Sequence, residues 1–301
     1  MPGTDLRWPR KRGELHNHHF DSTRWSAFPF RDGDIVVATY AKSGTTWTQQ
    51  IVAQLVFGGA EGVPVHELSP WLDMRILPRE ATLAGLQAQD HRRFIKTHLP
   101  VDALVYSPRA RYLYIGRDGR DVALSLHNHH LRARPEWYAA LNDTPGRVGP
   151  PMPPPIEDPQ AYFEQWLEHD GYPFWSLWDN VRSWWAVRHL PNVLLVHYDE
   201  LKQDLPVSLR RIARFLDMQI DESRWPEIEA HVGFDYMRNH PETVPAGGAF
   251  WEGGTQGFIH KGRSGRWREV LSAASAERYA TRARAELGAE CAAWLAGSAS
   301  S

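Results

Sequence analysis

Lys42, Ser43, Gly44, Thr45, Thr46 and Trp47 come directly after the apolar run that starts at Ile35, and their types suit one task, the holding of an anion. A run without polar alternation suits a strand buried on both faces, and the turn beyond such a strand is where open α/β sheets bind ligands. A helix starting near Thr45 leaves its first amides without intrahelical acceptors, and its dipole adds positive potential at the same point. Lys42 supplies a full charge, and Gly44 lets backbone approach closely. In a P-loop the lysine follows the last glycine and the next hydroxyl holds magnesium. Here Lys42 stands two residues before Gly44, and nothing in the segment demands a metal.

A second basic cluster follows the run Tyr112 to Gly116. Arg117 offers a forked donor for phosphate, Asp118 or Asp121 can help start a helix, and Ser125 stands one helical turn beyond Asp121. A third loop, Phe258 to Trp267, carries His260, Lys261, Gly262, Arg263 and Arg266; by itself it reads as a solvated surface loop.

These groups need a frame that brings them together. Four short runs suit buried parallel strands: Ile35 to Thr39, Arg93 to Lys96, Tyr112 to Gly116 and Val193 to His197. Helical spacing separates them, over Thr45 to Phe57, Val122 to about Leu131, and from near Pro206 to Leu216. The alternation predicts βαβ units in a three-layer α/β/α fold with a central, mainly parallel sheet and a P-loop-like strand-turn-helix. Lys42, Lys96 with His98, Arg117 and Tyr198 would then meet along one sheet edge.

Composition limits the alternatives. The 301 residues contain no linker that divides them, so one domain over 1–301 is expected, with a proline-rich insertion at about 145–159. A formal charge of −2 argues against general attraction to nucleic acid or anionic membrane. The single Cys291 excludes an internal disulfide, the first fifteen residues lack an apolar core, and no stretch approaches the ~20 apolar residues of a membrane span, so the expectation is a cytoplasmic protein.

Lys-Ser-Gly-Thr-Thr-Trp at 42 to 47, Lys-Thr-His-Leu-Pro at 96 to 100, Arg-Asp-x-Arg-Asp-Val-x-x-Ser at 117 to 125 and Lys-Gly-x-x-Gly-x-Trp at 261 to 267 occur in this order. Together they resemble the cytosolic sulfotransferase family, from about Asp34 to Trp267. The resemblance implies transfer of the sulfuryl group of 3′-phosphoadenosine 5′-phosphosulfate to a hydroxyl or amine of a small acceptor, without a metal. It implies that the first loop holds the 5′-phosphosulfate, with Lys42 on the bridging oxygen and Trp47 against adenine, and that Arg117 and Ser125 hold the 3′-phosphate. Tyr198 and Phe234 fall near adenine, and His260, Lys261 and Gly262 fall in a closing loop. His98 is implied as catalytic base, Lys96 as stabiliser of the transferring group, and Ser125 as the residue that holds Lys42 aside until acceptor binds. The chain departs from the pattern at His260, where arginine is usual, at Val232, where a hydroxyl is usual, and at Ser272-Ala273 in the dimerisation segment, which leaves the oligomeric state open.

Other features carry less. His-Asn-His-His occurs at 16 to 19 and again at 127 to 130, which raises a metal site, but no cysteine or carboxylate spacing supports one. The resemblance instead puts His129 beside the acceptor. Seven prolines among the fifteen residues 145–159 exclude regular structure and suggest a semi-rigid lid. Trp25, Phe28, Phe30, Trp137, Tyr138, Tyr162 and Trp166 suggest an aromatic pocket for a phenolic or other aromatic acceptor, with an aliphatic alcohol, an amine or a sugar as alternatives. A P-loop kinase or nucleotidase would need a magnesium pattern, and a non-catalytic nucleotide-binding module would not need a base beside the cradle.

Overall fold

The computed structural model describes residues 7–259 and 262–297. Its sheet contains β1 (Ile35–Thr39), β2 (Phe94–Thr97), β3 (Arg111–Gly116) and β4 (Val193–His197), all parallel in the order β2-β1-β3-β4. Register sets Val37 beside Lys96 and Leu113, and Ile115 beside Thr39 and Val196, so the carboxyl ends of the strands are aligned.

Side chains alternate across a strand. Val36 and Ala38, with Tyr112 and Tyr114, enter one apolar core, while Ile35 and Val37, with Leu113 and Ile115, enter another. The first core is closed by Val122 and Leu126 of the helix Gly119–Leu131 and by Trp178 and Trp184 of the helix Leu177–Ala186. The second is closed by Ile51 and Leu55 of the helix Thr45–Val56 and by Leu209 and Ile212 of the helix Leu205–Phe215. Burial on both faces is the reason that β1 shows no polar alternation. The result is the expected three-layer α/β/α arrangement.

Two boundaries differ from the sequence reading for chemical reasons. Arg93 does not belong to β2; its Nε and Nη2 clasp the carboxylate of Asp34 at 2.8 and 2.5 Å, with both side chains about 1% exposed. Removing one partner of such a pair leaves a buried charge and costs about 3–5 kcal/mol. The helix after β3 starts at Gly119, ahead of Val122, because Asp118 caps it by accepting from the Arg120 amide at 2.9 Å.

The proline-rich segment is a strap, and its histidines explain it. Proline contributes a carbonyl and no N–H, so donors must come from elsewhere. His130 Nε2 meets the Pro153 carbonyl at 2.8 Å, and His127 Nε2 meets those of Ile156 and Glu157 at 2.9 and 3.0 Å. Asn142 clasps Met152 through both its N–H and its C=O. The first His-Asn-His-His run works similarly. Asn17 Oδ1 accepts the amides of His19 and Phe20, and His18 Nε2 meets the Pro173 carbonyl at 2.9 Å. Among the described residues no group of histidine, cysteine or acidic side chains is arranged to hold a metal ion, and no helix is long and apolar enough to cross a membrane.

Candidate active site

The turn after β1 has the backbone that an anion cradle requires. Lys42 sits at φ +62° and Gly44 at φ +104°, both left-handed. A side chain at Gly44 would place Cβ 2.8 Å from the ring of Tyr198. The first paired amide of the helix is that of Thr48, which donates to Gly44 O at 2.9 Å. The amides of Gly44, Thr45, Thr46 and Trp47 therefore remain without partners among the described residues, aimed as at any helix start toward incoming negative charge.

Arg117 joins this turn to the C-terminal loop. Its Nη1 donates to Lys42 O at 3.0 Å, its Nη2 donates to Arg263 O at 3.1 Å, and its plane lies 4.5 Å from the Tyr198 ring centre. Its Nε is buried and has no partner among the described residues, a donor left for a ligand. Trp47 meets Tyr198 edge to face at 5.5 Å, and its Nε1 donates to Val232 O at 2.9 Å. At position 232 the backbone carbonyl thus makes a contact that does not depend on the missing hydroxyl. Gly262, at φ +56°, lies so close to Phe234 that a Cβ would come 2.8 Å from the ring. His260 and Lys261 lie outside the described residues. Ser43 is buried with its amide turned back to Tyr40 O, so of the cradle residues it is the one that does not face the cleft.

His98 is held as a base would be. Its Nδ1 lies 2.8 Å from the Thr39 carbonyl, which can only accept, so the proton is on Nδ1 and the Nε2 lone pair is free. Burial, followed by the nearby Lys96, pushes its pKa well below the ordinary imidazole value. The Thr39 hydroxyl, 3.1 Å from the same nitrogen, is also 2.6 Å from the Thr45 hydroxyl, which ties the histidine to the cradle.

The two lysines have few counter-charges. Lys42 Nζ stands 4.4 Å from the Phe258 ring centre and makes no hydrogen bond to Ser125; burial, with Lys96 and Arg117 close by, pulls its pKa down to about 7. Lys96 Nζ stands 4.5 Å from the Trp71 ring centre, with its pKa lowered to about 8 by burial and partly restored by Asp73. Asp73 is fully buried and accepts from Trp25 Nε1 at 3.0 Å and Trp71 Nε1 at 2.6 Å. Trp71 in turn meets the His98 ring edge to face at 4.6 Å.

Lys42, Gly44 to Trp47, Trp71, Lys96, His98, Arg117, Tyr198 and Phe234 open on one cavity of about 540 Å³, which Ser125 and Asp121 also line. Its aromatic walls away from the cradle include Trp71, Trp137, Phe174, Trp175, Trp251 and Phe258. This corrects the sequence reading. Trp25, Phe28, Tyr162 and Trp166 are buried in the core, Phe30 and Tyr138 pack against it, and only Trp137 of the seven expected aromatics reaches the cavity. The strap 145–159 contributes nothing to the lining. His129 does line it, with its ring stacked on Trp251 at 4.6 Å and its buried Nδ1 without a partner among the described residues. Trp71, Asp73 and Trp175 were not singled out from sequence, because they lie in connecting segments without periodicity or motif.

A family model described as Sulfotransferase domain matches residues 32–289. The chain is 33% identical over 283 residues to a glycolipid sulfotransferase of Mycobacterium bovis (strain BCG / Pasteur 1173P2), with 86% of each chain covered. It is 30% identical over 274 residues to sulfotransferase 1B1 of Mus musculus, covering 85% of this chain and 83% of that one. Among solved structures it is similar to mouse sulfotransferase SULT7A1 complexed with PAP, with a TM-score of 0.69, 22% identity and 91% of each chain covered. It is also similar to retinol dehydratase in a complex with retinol and PAP, with a TM-score of 0.68, 24% identity and coverage of 88% and 84%. At these identities the structural likeness is one of fold.

Proposed function

This chain belongs to the sulfotransferase domain family, and we propose that it transfers the sulfuryl group of 3′-phosphoadenosine 5′-phosphosulfate to a hydroxyl of a small, hydroxylated aromatic acceptor, with His98 as general base. The observation that carries the reading is the 2.8 Å contact of His98 Nδ1 with the Thr39 carbonyl, which leaves Nε2 as the unprotonated nitrogen of a ring that lines a cavity beside an anion cradle. The donor, when bound, supplies an activated sulfur–oxygen bond. The free amides of Gly44 to Trp47 and the unpartnered Arg117 Nε fit its two anionic ends, and Trp47, Tyr198 and Phe234 fit the base between them. His260, Lys261 and Gly262 are assigned to the loop that covers the 3′-phosphate.

The chain's own groups divide the work. His98 Nε2 takes the acceptor's proton as its oxygen bonds to sulfur, and Lys42 hydrogen-bonds the phosphate oxygen whose bond to sulfur breaks. Lys96 stabilises charge on the moving group, and Ser125 holds Lys42 aside until the acceptor binds. Lys42, Lys96 and Arg117 provide the positive charge, so transfer is expected to survive a chelator. The apolar, aromatic walls support a flat acceptor. A second reading, a sugar hydroxyl, is supported by the named activity of the mycobacterial relative.

The test incubates the protein and His98→Ala with the sulfonucleotide and a panel of phenols, alcohols and glycosides, with and without chelator. His98→Ala should lose about 10²–10⁴-fold in rate while PAP binds nearly as before. No sulfated product from any acceptor refutes the activity, and loss of PAP binding in His98→Ala makes His98 structural.

A further inference from the structure

We propose that His19 is a second acceptor-binding residue, whose Nε2 accepts a hydrogen bond from a donor group adjacent to the hydroxyl that is sulfated, so that the site selects vicinal diols, catechol-like or sugar-like, over isolated hydroxyls. The inference rests on the reading that His98 faces the reacting hydroxyl.

The argument is a chain of forced proton positions. The Pro173 carbonyl, 2.9 Å from His18 Nε2, can only accept, so His18 carries its proton there. A neutral His18 then has a lone pair at Nδ1. That atom is 2.6 Å from His19 Nδ1, and one of the two must donate, so His19 is protonated at Nδ1 and unprotonated at Nε2. Burial holds the His18 pKa down to about 4, which keeps the pair in this state at neutral pH. His19 Nε2 has no partner among the described residues, and His19 forms part of the cavity wall. Its backbone is fixed on both sides, the amide by Asn17 Oδ1 at 2.7 Å and the carbonyl by the Arg75 amide at 2.7 Å.

His19 and His98 look onto the same space. Trp71 is 5.9 Å from the His19 ring and 4.6 Å from the His98 ring, and Trp175 is 5.6 Å from each. The two imidazoles share one pair of indoles, and the Lys96 ammonium, 4.5 Å from the Trp71 ring centre, can donate on this side but cannot accept. An acceptor with one hydroxyl leaves the His19 lone pair desolvated and unmatched, whereas a diol satisfies both. His18, which does not line the cavity, acts through His19 and is a positioning residue.

The experiment compares catechol with phenol, and a vicinal cyclohexanediol with cyclohexanol, in the wild type, His19→Phe and His19→Gln; the two pairs separate an aromatic from a sugar-like source. The wild type should prefer the diol of at least one pair by about tenfold to a hundredfold in kcat/KM. His19→Phe should bring that ratio near one, and His19→Gln, which keeps an acceptor oxygen, should recover part of it. A wild-type ratio near one, or a ratio unmoved by His19→Phe, overturns the assignment. Absence of transfer to every acceptor bears on the sulfuryl-transfer reading instead, and nitrogen NMR of histidine-labelled protein then decides for His19 without turnover. His19 Nε2 should give the signal of an unprotonated ring nitrogen at neutral pH, shift on addition of the diol, and become a tautomer mixture in His18→Phe. A protonated Nε2, or a signal that the diol does not move, also overturns it.

Discussion

Binding of the nucleotide should take up protons, and the amount follows from the two cavity lysines. In the ligand-free protein the Lys42 pKa is lowered to about 7 and that of Lys96 to about 8, both chiefly by burial, with no carboxylate close to the first. At about pH 8, Lys42 is then roughly one-tenth charged and Lys96 roughly half. A phosphosulfate or diphosphate anion in the cradle favours the charged form of each. Filling both requires about 0.9 and about 0.5 of a proton, so about 1.4 protons should enter per nucleotide. Affinity should fall as pH rises, by up to about a hundredfold between about pH 6.5 and about pH 8.5. The nucleotide's own phosphate titrates near pH 6, below this window.

Calorimetric titration with PAP, in buffers that differ in ionisation enthalpy, reads the proton count directly. Lys42→Met should bind more weakly and take up only about half a proton at about pH 8, the share of Lys96. Uptake below about 0.3 of a proton in the wild type, or affinity flat across the window, would refute the reasoning, because it would mean that both lysines are already charged in the empty cavity.

Other perturbations follow from the same geometry. Gly44→Ala imposes a side chain at φ +104° against the Tyr198 ring; it should cost about 1–3 kcal/mol and weaken PAP binding, and an unchanged melting temperature with unchanged affinity would refute it. Asp73→Asn removes the buried counter-charge of Lys96 and frees one tryptophan N–H; kcat should fall more than PAP affinity, and loss of PAP binding with kcat intact would contradict the placement. His18, His19, His98 and His130 are buried, with folded pKa values depressed below the ordinary 6.5. The unfolded chain therefore binds more protons below about pH 6.5, so stability is fully present above that value and is lost as pH falls, by up to about 1.4 kcal/mol per pH unit for each histidine. Denaturant midpoints that do not fall between about pH 6.5 and about pH 4.5 would contradict this.

Strand ends were legible and pocket walls were not, for a physical reason. Lys42, Lys96, His98, Arg117 and Tyr198 stand at or just beyond the ends of buried strands, and in a parallel sheet all carboxyl ends lie on one edge. Knowing the strands is enough to know that these side chains converge, although Ser43, inside the motif, is not part of the cavity lining. An aromatic side chain carries no such address. Trp25 and Trp71 are alike by type, and both donate Nε1 to Asp73, yet one is sealed in the core and the other faces the cavity. The histidine runs were ambiguous in the same way. Their spacing suggested ligands, whereas what they supply is N–H donors for carbonyls in proline-rich backbone, at Pro153 and Pro173.

On the proposed assignment, the donor and acceptor sides are set relative to each other by β1 rather than by loops. Thr39, the last residue of β1, receives His98 Nδ1–H at its carbonyl and links through its hydroxyl to Thr45, the first residue of the helix after the cradle. Strand pairing fixes the spacing between β1 and β2, and therefore between the phosphate turn and the segment that bears Lys96 and His98. In-line transfer demands that attacking and leaving oxygens be held within fractions of an ångström, and regular hydrogen-bonded backbone is the stiffest means available to a chain. The acceptor walls have no equivalent constraint. Trp71, Trp175, Trp251 and Phe258 come from connecting segments or from a short turn of helix, so acceptor choice can change through those segments while the strand-end chemistry stays in place.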